Sequence, residues 1–150
     1  MTNLLLKEVS HINQTHDLIS KKTGKNFNVF KITNIFYDEV RICRIISELL
    51  NPQGSHFQGD IYLKLFFEQV LKLNFKDDNF KDIQVYREYP IERNRRIDLV
   101  IKNIYYFIPI EVKIYADDQN NQCYDYFQYA KNSNLYYLTL FGYSPSNISA

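Results

Sequence analysis

Glu111 and Lys113 stand two residues apart in the run Phe107-Ile108-Pro109-Ile110-Glu111-Val112-Lys113-Ile114, and Asp98 stands in a second run, Arg96-Ile97-Asp98-Leu99-Val100-Ile101. Both runs are rich in β-branched and other apolar residues and read as strands. Side chains alternate faces along a strand, so Glu111 and Lys113 project together while Val112 points away. Only Lys102-Asn103 separates the Asp98 strand from one spanning 105–115, which predicts a hairpin with a tight turn at Asn103, a residue suited to positive φ. That pairing sets Asp98 opposite about Pro109, diagonal to Glu111, so that two carboxylates converge on one space. A hard divalent cation such as Mg²⁺, with Mn²⁺ as a substitute, takes oxygen ligands and keeps several waters. Asp98, Glu111, a main-chain carbonyl such as that of Val112, and phosphate oxygens make a suitable set. Such an ion activates an attacking water and stabilises a phosphoryl transition state, and Lys113 beside it orients the water or neutralises developing charge.

Glu-X-Lys is a common string, and a surface hairpin carrying a weak acid–lysine ion pair would give the same letters. Burial is what separates the two readings. A carboxylate inside each of two adjoining apolar strands is costly unless it meets a cation.

The elements that must hold these residues follow from hydrophobic period and punctuation. Leu5, Val9, Ile12 and Leu18 recur at loosely helical spacing over residues 4–22, and Gly24 is a stop signal. A second helix is predicted over 34–50, with Asp38 in its first turn and Asn51-Pro52 at its end. After a turn-rich stretch at 53–58, a further helix is expected over 60–73, then a polar stretch at 76–82. Period-2 alternation predicts a strand over 83–91. Asp117-Asp118 reads as a helix start, followed by Cys123, Phe127 and Ala130 on one stripe, and a final strand is expected over 135–141. Gln122 and Tyr126, four apart, share a face of that last helix, and burial of the helix through an aromatic is the plainer reading of Tyr126. The chain is expected to form one α/β domain over 1–150, helical to about residue 75, with sheet and site at about 82–145.

Eighteen Lys and Arg against seventeen Asp and Glu give a net charge of +1, which neither advertises nor excludes a polyanionic partner. Cys43 and Cys123 fit no zinc or redox spacing, and a reducing cytoplasm is the expected compartment. The apolar run near the amino terminus is far shorter than a membrane span. Arg93, Arg95 and Arg96, with Lys102, form the densest basic cluster, beside Asp98, where phosphate-positioning charge would be useful; a solvated strand edge is the plainer reading. Glu88 is expected to pair with Arg87, Arg93 or Arg95, and His56 to cap or pack within its glycine-flanked turn. No phosphate-binding glycine loop, Gly-X-Ser-X-Gly elbow or His-Glu-X-X-His occurs.

The pattern Arg-Ile-Asp-Leu-Val-Ile, then Ile-Glu-Val-Lys-Ile-Tyr-Ala-Asp-Asp-Gln, then Asn-Gln-Cys-Tyr-Asp-Tyr resembles the PD-(D/E)XK nuclease superfamily, in particular a bacterial and phage branch. The stretches 38–41 and 47–52, with Gly54-Ser55-His56, resemble the same branch, over roughly 27–145 in all. Branch members often carry His-Ser where this chain has Ile42-Cys43. The resemblance implies a restriction-endonuclease-like core of helix, three-stranded meander, helix and strand, here with extra N-terminal helices. It implies Asp98 and Glu111 as metal ligands, Lys113 as catalytic lysine, and Gln122 and Tyr126 as substrate-holding residues. The expected activity is metal-dependent hydrolysis of nucleic acid, DNA before RNA, in a chain that could pair as a homodimer. An inactive binding or protein-interaction module on the same fold is the alternative.

The family often adds a glutamate from the 37–50 helix, and two are available. Nine residues apart at about 100° per residue, Glu39 and Glu48 lie on opposite faces. Glu39 shares its stripe with Ile42, Cys43, Ile46 and Leu50, the face expected to pack on the sheet, which makes it the candidate to ligate the ion or bind its water. An acid complementing the helix dipole is the plainer reading of Glu39. Glu48 is expected to be a solvated partner of Arg44.

Overall fold

In the computed structural model, which describes residues 2–24, 27–75, 80–131 and 133–150, helix α1 spans Thr2–Thr23 and stops at Gly24, whose φ of +64° suits a residue without a Cβ. A short helix α2, Val29–Ile32, is capped by Asn28, whose side chain accepts from the Lys31 amide. The chain divides into two compact units, Met1–Phe36 and Tyr37–Ala150. α1 keeps Leu5, Val9, Ile12 and Leu18 exposed. The candidate residues all fall in the second unit. Most of the polar stretch expected at 76–82 lies outside the described residues.

The helix expected over 34–50 is shorter. A 3₁₀ turn, Ile35–Tyr37, precedes α3, Glu39–Leu50, because Asp38 is not helical: its extended backbone and its Oδ1, which accepts from Arg41 N at 2.9 Å, make it the N-cap. The next helix, expected over 60–73, is α4, Ile61–Leu65, continued by a π-helical turn, Phe66–Val70. Strands β1 (Gln84–Ile91), β2 (Arg95–Lys102), β3 (Phe107–Lys113) and β4 (Tyr136–Thr139) form a sheet in that order, with helix α5, Gln122–Tyr129, between β3 and β4. β1, β2 and β3 are an antiparallel meander, and β4 adds parallel to β3.

Two apolar clusters lie on this sheet. Cys43 and Leu50 from α3, with Leu63 and Phe67, pack with Leu99, Ile101, Ile108, Ile110 and Val112. Tyr126 from α5 packs with Ile97 and Val100. Ile97 and Leu99 thus belong to different clusters, so the alternation along β2 slips at Asp98. The partner strand slips at the same place: Arg87 pairs with Leu99 and Tyr89 with Ile97, with no pair at Glu88, whose φ is +47°. A non-glycine residue held there costs on the order of 1–3 kcal/mol, which the flanking strand pairs must offset.

The β2–β3 connection differs from the tight turn expected. It is a four-residue loop, 103–106, in which Asn103 keeps an ordinary φ and uses its side chain instead: Oδ1 accepts from the Tyr105 and Tyr106 amides, each at 2.9 Å. The longer loop moves the register by two residues. Leu99 pairs with Ile110 and Val100 with Pro109, so the next step puts Asp98 opposite Glu111 rather than opposite Pro109.

Phe67 is fully buried, with ring centroids of Phe80 and Tyr106 at 5.0 and 5.1 Å. Phe67→Ala should lower unfolding free energy by about 3–5 kcal/mol in urea titrations. A loss under about 1 kcal/mol would mean that this ring cluster does not anchor the core.

Candidate active site

Glu111 is 1% exposed, at the end of β3. Two donors meet one of its oxygens: Gln122 Nε2 donates to Oε1 at 2.6 Å, and Lys113 Nζ lies 3.3 Å from the same atom. The other oxygen, Oε2, is buried and receives a hydrogen bond from no described donor. Asp98 is close enough to share a proton with Glu111, and its own Oδ2 accepts from Val112 N at 2.9 Å. Burial and the neighbouring Asp98 carboxylate push Glu111 up from 4.5 to about 8, against the opposing pull of Lys113. Burial also raises Asp98, opposed by the Val112 amide, Glu111 and Lys113.

α5 supplies the support on one side. Its Gln122 is buried, and Nε2 also donates to Tyr126 Oη at 3.1 Å. Tyr126 follows the plainer reading, an aromatic buried by its helix. The ring is 2% exposed in the Ile97–Val100 cluster, and its hydroxyl donates to Arg96 O. So enclosed, it braces Gln122 and the strand beside Asp98. Burial raises its hydroxyl above the ordinary tyrosine range. The helix does not start at Asp117-Asp118 as expected: Asn121, in the left-handed region at φ 55°, precedes it, and Asp118 instead accepts from Tyr137 Oη and Ser146 N, each at 2.7 Å.

α3 supplies the other side. Glu39 Oε1 accepts from three successive amides, Ile114 N at 2.8 Å, Tyr115 N at 3.2 Å and Ala116 N at 3.1 Å. Among the described residues no group of three His, Cys, Asp or Glu is placed to hold a metal ion. One oxygen of Glu39 is committed to the backbone that follows Lys113. One turn on, buried Cys43 feels Asp98, Glu111 and Glu39, and burial together with these acids pushes its thiol up to about 12. Sequence reading passed over Cys43 as a site neighbour, although its i+4 spacing from Glu39 was visible.

Among the peripheral residues, Glu48 accepts from the Ser55 amide rather than pairing with Arg44, and this bond holds its carboxyl below the usual range. His56 caps and packs as expected, with Nε2 3.0 Å from Asn51 O, Nδ1 accepting from Gln58 N, and its ring edge-on to Tyr62. Glu88 pairs with Arg96, not with Arg87, Arg93 or Arg95. Arg93 and Arg95 are held by buried Asp125, with Arg95 Nε at 2.7 Å, and Lys102 Nζ lies over the Tyr89 and Phe107 rings. The side chains of Arg93 and Arg96 stay largely exposed, as the solvated-edge reading expects.

A divalent cation fits the residues present. Two carboxylates facing each other, one ending in a buried oxygen that Lys113 does not reach, are a hard-oxygen donor set. A model of the PD-(D/E)XK nuclease superfamily matches residues 27–147. This chain belongs to that superfamily. The sheet order and flanking helices are its restriction-endonuclease-like α/β core, and the acids and lysine named from the sequence lie together at the end of the superfamily's hairpin. No curated protein and no solved structure matches the chain significantly. None of the described helices is long and apolar enough to cross a membrane.

Glu111 gives the metal-free superfamily core an unusual pH dependence. Its folded-state affinity for a proton exceeds that of the unfolded chain, so the proton is released on unfolding, and stability falls as pH rises from about 4.5 to about 8. Asp98, also raised, acts with the same sign, whereas lowered Glu48 and Asp118 act only in more acidic solution. In EDTA, urea midpoints should decline over that range for the native chain and stay flatter for Glu111→Gln. A native midpoint that rises throughout would contradict the burial of a raised carboxyl.

Proposed function

We propose that this chain is a Mg²⁺-dependent nuclease that hydrolyses phosphodiester bonds of nucleic acid, with DNA the favoured polymer. The observation that supports this most is Glu111: buried, facing Asp98, with one oxygen held by Lys113 and Gln122 and the other without a donor. Asp98 and Glu111 would hold the ion, with the Val112 carbonyl and phosphate oxygens completing its ligands. The ion, when bound, supplies a Lewis acid that binds the scissile phosphate and acidifies a water.

The chain's own groups do the rest. Lys113, 11% exposed at the side chain, reaches Glu111 Oε1 at 3.3 Å, where its ammonium orients the attacking water and offsets charge developing on the phosphoryl oxygens. Gln122 keeps Glu111 Oε1 occupied, so that Oε2 is the oxygen left for the ion. Glu39 fixes the main chain immediately after Lys113 and so fixes where that lysine can reach. Val112 N–H, donating to Asp98, locks the carboxylate orientation across the hairpin. One such centre per chain cuts one strand, so cleavage of a duplex calls for two chains, and a homodimer is part of this reading. A reducing cytoplasm suits the two free cysteines.

Asp98→Ala and Glu111→Ala should each abolish cleavage of linear and circular DNA in Mg²⁺ and weaken Mn²⁺ binding in calorimetry. Lys113→Ala should lower kcat by about 10²-fold or more with Mn²⁺ affinity largely kept, as expected for a group acting on the transition state. Undiminished hydrolysis by Glu111→Ala would sink the proposal.

A further inference from the structure

Helix α5 is short, and the residue before it offers no side-chain cap. Its first-turn amides therefore need acceptors from elsewhere. Gln122 N finds Gln119 O at 3.2 Å, and the next two find a segment remote in sequence. Cys123 N donates to Ser149 Oγ at 3.2 Å, and Tyr124 N donates to Ser149 O at 3.0 Å. Just ahead of the helix, Asn121 N donates to Ile148 O at 2.6 Å. Ser149 is 0% exposed. Its approach is fixed further back by Asp118, which holds Ser146 N with one oxygen and the Tyr137 hydroxyl with the other. Tyr137 in turn pairs in register with Glu111.

We propose that Ser149 is a positioning residue for the Glu111 carboxylate: it serves as the N-cap of α5 in trans, and so sets Gln122 Nε2 against Glu111 Oε1. An N-cap ordinarily satisfies first-turn amides from the preceding residue. Here one buried serine satisfies two of them, with its hydroxyl and its carbonyl, on the two residues that directly follow Gln122. Gln122 is the first helical residue, and its side chain spans from that first turn to the carboxylate at 2.6 Å, so rotation or fraying of the turn moves the amide off Glu111 directly. Tyr126 braces the same amide from one turn further along. Ser149 and Tyr126 thus fix Gln122 from its two ends, and neither touches the metal space itself.

The kinetic arm of the test rests on the nuclease reading; the spectroscopic arm does not. The side-chain amide signals of Gln122 are followed by NMR in the full ¹⁵N-labelled chain, native, Ser149→Ala and Ser149→Thr, beside kcat and KM for DNA cleavage in Mg²⁺. Ser149→Ala should move the Gln122 amide signals and lower kcat about tenfold at unchanged KM, while Ser149→Thr, which keeps the hydroxyl, restores both. In a Gln122→Ala background, Ser149→Ala should cause little further loss, because the residue through which it acts is gone. Unmoved Gln122 signals in Ser149→Ala would overturn the proposal, and so would an undiminished effect of Ser149→Ala in the Gln122→Ala background. A native chain that cleaves nothing removes the nuclease reading, while the Gln122 signals still decide the role of Ser149.

Discussion

Two carboxylates set opposite each other on neighbouring strands, one of them sealed from water, form an arrangement that a folded chain does not keep without compensation. Like charges in low dielectric repel strongly, and removal from water penalises each ionised form separately. The chain compensates one half of the pair. Lys113 and Gln122 satisfy one oxygen of Glu111, and the Val112 amide satisfies Asp98. The remaining oxygen of Glu111 is left to a shared proton or a cation, and burial together with the facing Asp98 carboxylate raises this carboxyl to about 8.

The surrounding structure reads as a set of restraints on that pair. The register slip on β2 lies at Asp98 itself, opposite a Glu88 held at positive φ, so the strand pair is distorted where a ligand must leave the regular pleat. Glu39 gathers the three amides that follow Lys113 onto one oxygen, which ties α3 to the end of β3. Asp125, buried on α5, holds Arg93 from the β1–β2 turn and Arg95 from the start of β2, so helix and hairpin are also joined through charge. None of these groups needs to touch a substrate. Together they limit how far the two acids, the lysine and the glutamine can drift from one another.

The meander and its flanking helices were legible because their signals are local: β-branched runs, helical apolar stripes and an Asn-Pro stop. The acids and lysine were legible for a different reason, since carboxylates inside apolar strands are expensive and therefore informative. What could not be read depended on loop geometry or on remote contacts. A turn of four residues instead of two shifted the hairpin register by two, because Asn103 closed the loop with its side chain rather than its backbone. The helical wheel chose Glu39 over Glu48 as the sheet-facing acid, but it could not show that three amides would already be using it. Tyr126 shared the face of Gln122 as expected, yet periodicity does not distinguish a tyrosine lining a cleft from one sealed beneath it. The serine that caps α5 stands more than twenty positions from the amides it serves, beyond any local rule.

The account turns on whether the oxygens of Asp98 and Glu111 share one divalent ion. Diffraction from crystals of the chain grown with Mn²⁺, recorded at a wavelength where manganese scatters anomalously, tests this without relying on any substrate. The expected result is one anomalous peak between Asp98 and Glu111, within about 2.0–2.4 Å of an oxygen from each, and absent from crystals of Glu111→Gln. A peak elsewhere, or an empty space between these carboxylates at saturating Mn²⁺, would contradict it.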